Sequence, residues 1–241
     1  MESTKQYNYE DSMLDLNDIL DQILNALENC KPLSLGRYGH GEIAFLGQID
    51  FHDAYYAGAT ASAATVSEDL LEALKTTDII GFHVSWSNAE DDRSAAEMTK
   101  KLLLNFGLEP TNVCSAFLTY EMIKSERFWE FLRNRRVALV GRRAEEACPA
   151  FTDKGVAIVY ATGFEGYEDI ERVYGELSKR ADWDVALLSA GIPATILAPR
   201  LANQTKRVVI DFGHALDRLI DGDNFDYWKL VREWKERVKE K

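Results

Sequence analysis

Short, mostly apolar runs recur along this chain, separated by helix-length amphipathic stretches, and this alternation constrains the fold more than any other feature. The runs are Leu33–Leu35, Ile79–Val84, Val113–Phe117, Val137–Val140, Val156–Tyr160, Val185–Leu188 and Val208–Ile210. They are rich in Val and Ile, lack polar alternation and are bounded by Gly or charge, as strands buried on both faces are. Helical spacing fills the intervals near Val66–Lys75, Ala89–Phe106, Tyr120–Arg133, Tyr167–Arg180 and Ala194–Ala202. Before the first run, Leu14, Leu16, Ile19, Leu20, Ile23, Leu24 and Leu27 mark an amphipathic helix over about 11–30, ended by Lys31-Pro32. Strands alternating with helices require right-handed crossovers, so the expected fold is Rossmann-like α/β, a mostly parallel sheet with helices on both faces. No linker or repeat interrupts the chain, and residues 1–241 read as a single domain. An extra C-terminal helix is expected over about 225–238, with Phe225, Trp228, Val231, Trp234 and Val238 on one face. Its aromatics would suit a homodimer.

Composition removes several classes of function. The net charge is −12, and all of it lies in residues 1–120, which carry 7 basic and 19 acidic side chains. Such a chain repels a phosphate backbone, so nucleic acid is not an expected partner. The longest apolar stretch, Val185–Ala202, is broken by Ser189, Gly191, Pro193, Pro199 and Arg200, so no membrane span is expected. Met1–Asp11 is polar and lacks the order of a signal peptide. Cys30, Cys114 and Cys148 form neither a CxxC nor an even set, which fits a reducing cytoplasm.

Four polar segments each follow a strand run, on the edge where ligands of open parallel sheets bind. In Gly36–Glu42 the glycines are spaced GxxGxG, the reverse of the dinucleotide fingerprint. Gly39 and Gly41 let the backbone approach a ligand, Arg37 can fork onto a phosphate, and His40 and Glu42 can share a cation or a proton-transfer task. The same residues would also make a tight turn with a solvent-facing His and a capping Glu. Ser189-Ala190-Gly191-Ile192-Pro193 resembles a helix start with free amides for an anion. Asp211-Phe212-Gly213-His214 brings a carboxylate and an imidazole to a strand end, and Gly141-Arg142-Arg143 forms an anion site if its arginines turn inward. The loops Gly47–Thr65 and Ser85–Arg93 would border the crevice, with Trp86 as a stacking face for a sugar. His52 and His83 have no partner in sequence and read as structural.

Taken in order, these residues resemble the GT-D fold glycosyltransferases. Leu33–Glu42 is similar to an apolar strand followed by RxGDGE, with His40 in place of the motif Asp and Arg37, Gly39, Gly41 and Glu42 matching. Phe128-Trp129 through Gly141, Gly163–Ile170, Leu187–Ala194 with Leu197 and Leu201, and Val209–His214 resemble later segments of that family. Arg142–Ala150 lacks the Gly-Asn-Asp-Leu pattern that would follow Gly141.

The resemblance implies a nucleotide-sugar donor, UDP-linked in the type member, and a DxE motif serving diphosphate, metal or catalysis. The reading is then a glycosyltransferase acting on a glycan, glycoprotein or small-molecule acceptor hydroxyl, with Glu42, His40 and His214 catalytic. Arg37, Gly39, Gly41, Trp86, Arg142, Arg143, Ser189, Ala190, Gly191, Asp211 and Gly213 would bind substrate. A divalent Mn or Mg would fall to His40 and Glu42, although imidazole suits Zn, Ni or Fe better than these oxygen-seeking ions. Two other readings compete. One is a metal-dependent hydrolase or phosphoesterase with His40, Glu42, Asp211 and His214 as ligands. The other is a non-catalytic nucleotide-binding module.

Overall fold

The computed structural model describes residues 7–47, 62–226 and 229. Its seven strands are β1 (Leu33–Tyr38), β2 (Ile79–Phe82), β3 (Val113–Ser115), β4 (Arg136–Gly141), β5 (Ala157–Thr162), β6 (Val185–Ser189) and β7 (Val208–Asp211). They form one sheet in the order β3-β2-β1-β7-β6-β4-β5, and every pairing is parallel. Each apolar run is therefore a strand, and the central ones are buried along their length because helices cover both faces.

The direction of each crossover decides which face a helix covers. Steps from β1 to β3 and from β5 to β7 run one way along the sheet, and steps from β3 to β5 run the other. Right-handed connections then send α2 (His40–Leu46), α3 (Ala63–Thr76), α4 (Glu90–Phe106), α8 (Ile170–Lys179) and α9 (Ile192–Thr205) to one face. The opposite face receives α5 (Leu118–Met122), α6 (Glu126–Arg133) and α7 (Ala144–Asp153), joined by α1 (Leu16–Glu28) and α10 (Ala215–Asp221). The buried side chains divide the same way. Phe45, Leu70, Leu103, Val173 and Leu197 pack with Tyr38 and Phe82 on the first face. Ile19, Ile23, Trp129, Phe151 and Leu216 pack with Leu33 and Leu35 on the second.

Local chemistry sets several boundaries. Helix α1 starts later than its apolar spacing suggests, because Asp15 accepts the amides of Asn17 and Asp18 at 2.8 and 3.0 Å and Tyr9–Ser12 forms a separate 3₁₀ turn. The stretch Tyr120–Arg133 is two helices rather than one, parted at Ile123–Ser125. Helices α7 and α10 add to the expected ones: α7 carries Pro149 inside it and buries Ala144, Ala147 and Phe151 on one face, and α10 has only 7 residues. Most of the expected helix over 225–238, His52 and most of the loop Gly47–Thr65 lie outside the described residues. No helix among the described residues is long and apolar enough to cross a membrane.

Candidate active site

Strands β1 and β7 are hydrogen-bonded neighbours, yet the helices that follow them leave to opposite faces, α2 to one and α10 to the other. The segments that follow them therefore diverge, and such a point is where an open α/β sheet forms its ligand crevice. Arg37 of β1 and Asp211 of β7 meet there. Arg37 Nε and Nη2 donate to Asp211 Oδ1, each at 3.5 Å, and Nη1 donates to the Ala116 carbonyl at 3.2 Å. Asp211 Oδ2 accepts the Arg37 backbone amide at 3.2 Å and the Thr195 hydroxyl at 2.8 Å. Both side chains are nearly sealed, 14% and 1% exposed. Burial opposes the guanidinium charge, but Asp211, Tyr120 and Glu42 outweigh it and hold its pKa above the usual value.

Gly213 completes this corner. Its φ is +50°, and a Cβ added there would fall on the Arg37 guanidinium. Gly213→Ala is thus expected to cost at least ~1–2 kcal/mol from the left-handed backbone alone, and more as Arg37 is displaced. A thermal melt checks this; an unchanged Tm would contradict the contact. Ser189 Oγ donates to the Gly213 carbonyl at 2.6 Å, clipping the β6 turn to the β7 turn.

Glu42 lies in the first turn of α2, where its Oε2 accepts the Gly39 amide at 3.0 Å. The capping role is therefore real, and the carboxyl is also unusual. Burial first, and then Asp211, push its pKa up to about 7, against the opposing pull of Arg37 and the Gly39 amide. A carboxyl poised near neutrality at a strand's end is suited to general acid–base work.

His40 opens α2 and turns its half-exposed ring the other way. Its Nε2 lies 3.4 Å from Asp92 Oδ1, and its ring centroid is 4.1 Å from that of His83. His83 directly follows β2 and is 2% exposed, with Nδ1 3.1 Å from the same Asp92 oxygen. Burial first, and then His40, hold its pKa down at about 4, so the ring is neutral. The strand-end loop is tied from outside: Tyr9 Oη donates to the His83 carbonyl at 2.7 Å, and Ser85 donates its amide and hydroxyl to Glu10 at 2.5 and 2.9 Å.

The profile of the GT-D-like family, described as a GT-D fold-like domain, matches residues 14–219. The chain belongs to the GT-D-like family. Two solved structures share its fold. One is the domain of unknown function 1792, described as highly conserved and as having a distinct glycosyltransferase fold, at 16% identity and a TM-score of 0.60, covering 91% of this chain and 82% of that one. The other is described as a new glycosyltransferase (DUF1792) from Streptococcus sanguinis, at 15% identity and a TM-score of 0.60, covering 91% and 85%. No curated protein matches the chain.

In this GT-D-like chain the remaining expected residues divide into those at the crevice and those committed elsewhere. Gly39 caps α2 and Gly41 is buried in its first turn. Ala190 and Gly191 lead into α9, whose N-cap is Gly191 at φ +62° with open space around it. Pro193 follows at the second helical position and offers no amide, leaving the amides of Gly191 and Ile192 as the donors of that turn. Trp86 stands 62% exposed beyond β2. His214 sits at the N-cap of α10, with Nδ1 3.0 Å from Asp217 Oδ2.

Arg143 is engaged by three carboxylates. Its guanidinium is shared by Glu146 at 2.7 and 2.8 Å, Asp221 at 2.8 Å twice and Asp217 at 3.2 Å, so its charge is already neutralised. Arg142, half-buried beside it, has no charged partner among the described residues. Arg143→Ala is expected to cost about 1–3 kcal/mol, as lost hydrogen bonds between charged groups do, while leaving nucleotide affinity unchanged. Denaturant unfolding and a nucleotide titration of the variant check both halves.

The metal expectations change with the geometry. His40, Glu42, Asp211 and His214 do not form a ligand set, because Asp211 holds Arg37 and Thr195 while His214 turns to Asp217. Glu42 and His40, two residues apart, face different partners. His83 was the residue hidden from sequence reasoning, since its partner Asp92 is nine positions away across a loop. The available signal was a lone imidazole near the end of the apolar run Ile79–Val84.

Proposed function

We propose that this GT-D-like protein transfers a sugar from a nucleotide-sugar donor, UDP-linked by the resemblance, to an acceptor hydroxyl. What supports this most is the buried Glu42 carboxyl with a pKa near 7 beside the Arg37–Asp211 pair, at the crevice between β1 and β7. The acceptor oxygen bonds to the anomeric carbon as the bond from that carbon to the diphosphate oxygen breaks. Glu42, in its carboxylate form, takes the acceptor's proton. The departing nucleoside diphosphate gathers negative charge, which Arg37 and the amides at the start of α9 would offset, and such fixed donors supply a large part of catalysis with charged leaving groups. His214 would orient the donor. Trp86 would stack on the sugar of a glycan, glycoprotein or small-molecule acceptor. The three cysteines are free, in keeping with a cytoplasmic setting.

Calorimetric titration tests the binding half of this reading. A nucleoside diphosphate is expected to bind at least ~10-fold more tightly than the monophosphate, a difference of about 1.4 kcal/mol. Crystals soaked with it should show the diphosphate across the carboxyl ends of β1, β7 and β6. Equal affinity for the two, or a ligand bound away from that edge, would count against it.

A further inference from the structure

We propose that His40, His83 and Asp92 form a binding site for a divalent transition metal of the zinc class. One ligand atom from each of the three lies within 4.8 Å of the others, and they are the one such set among the described residues. Ligand atoms about 2.0–2.2 Å from a single ion at tetrahedral angles stand roughly 3.3–3.6 Å apart. The 3.4 Å from His40 Nε2 to Asp92 Oδ1 and the 3.1 Å from His83 Nδ1 to the same oxygen are close to that spacing.

The state of His83 points to a ligand. The residue is 2% exposed, yet among the described residues neither ring nitrogen makes a hydrogen bond, because the approach to Asp92 is short but out of line. A buried polar atom without a partner costs roughly 1–3 kcal/mol, so a native structure that keeps one calls for a missing partner. A cation between the three side chains supplies it. Asp92 is already oriented for this: Ser87 Oγ donates to its Oδ2 at 2.7 Å, turning Oδ1 toward both rings, as outer hydrogen bonds orient metal-ligating carboxylates. The half-exposed His40 leaves one side open, so the ion would keep positions for water or for a substrate oxygen.

The donor set also selects the ion. Two imidazoles and a carboxylate favour Zn, Co or Ni over Mg, and Glu42 is not among the ligands. The site is thus a different one from a His40–Glu42 pair, and it stands whether or not the protein transfers sugars.

The test is a titration of the full chain with Co(II) and Zn(II), without nucleotide, beside His40→Ala, Asp92→Asn and His83→Gln. Wild type is expected to take up one Co(II) with the visible absorption of a low-coordinate site, displaced by Zn(II) and not by equimolar Mg(II). Because outer-shell changes alone cost 10–100-fold in affinity, each ligand variant should bind at least ~100-fold more weakly. His40 is the decisive position, since its exposed ring can be removed without unfolding the chain, and circular dichroism confirms the fold of each variant. Equal affinity in wild type and His40→Ala, displacement by equimolar Mg(II), or anomalous density on Glu42 or Asp211 would overturn the proposal. Transfer assays on chelator-treated protein separate this outcome from the fate of the sugar-transfer reading.

Discussion

Glu42→Gln is expected to slow transfer by about 10²–10⁴-fold, the usual worth of a positioned general base, while making the protein more stable above neutral pH. The two effects share one cause. Burial and Asp211 raise the folded pKa of Glu42 to about 7, well above its value in an unfolded chain. The native state then holds a proton that the unfolded state gives up between pH 4.5 and 7. The stability contributed by protonated Glu42 is complete below that window and is lost as the pH climbs through 7. Glutamine keeps an oxygen for the Gly39 amide but never ionises. The stability of the variant relative to wild type should therefore rise by up to ~3 kcal/mol between pH 4.5 and pH 8, at about 1.4 kcal/mol per pKa unit. In wild type the rate should climb with pH through the same region, as the base becomes available. Denaturant melts at several pH values read the first effect and a pH–rate profile the second. A stability difference that does not change with pH would place Glu42 in an ordinary solvated site.

Asp211→Asn is expected to be the most destabilising change in the crevice, by about 3–5 kcal/mol, because it leaves a buried guanidinium without its counter-charge. Asp211 is 1% exposed and accepts from Arg37 and from Thr195. An asparagine must turn its NH₂ toward one of these donors, adding an unsatisfied contact. For a chain of this length the loss corresponds to a Tm lower by roughly 6–20 °C. A second reading of the same variant separates charge from packing. Asp211 is one of the groups that raise the Glu42 pKa, so its neutralisation should shift the acid limb of the rate profile to lower pH. A variant that melts like wild type with an unmoved profile would remove the Arg37–Asp211 pair from the account.

How far the sequence reached depends on what each feature needed. The strands were legible because a strand buried on both faces cannot alternate, and Val137–Val140 and Val185–Leu188 show no alternation. That the candidate residues share one edge of the sheet was legible as well, since Gly36–Glu42, Ser189–Gly191 and Asp211–His214 each follow a run. Contacts across long intervals were not legible. The three acids that neutralise Arg143 include Asp217 and Asp221, 74 and 78 residues away and on a helix too short to show a period. His83 looked structural because nothing nearby in sequence could pair with it, and only the fold of the β2–α4 loop brings Asp92 and His40 to its ring. The raised pKa of Glu42 was equally hidden, since it depends on burial and on Asp211, 169 positions further along.

In the proposed reaction, the bond from sugar to diphosphate breaks at the crevice between β1 and β7 with Glu42 as the base. Incubating the full chain with a panel of nucleotide sugars and mixed hydroxyl acceptors, and following release of nucleoside diphosphate, tests it most directly. Release by wild type with at least one donor, reduced ~10²-fold or more in a folded Glu42→Gln, is the predicted result. Release that Glu42→Gln matches, or no release from any donor together with no nucleoside diphosphate binding, would contradict it.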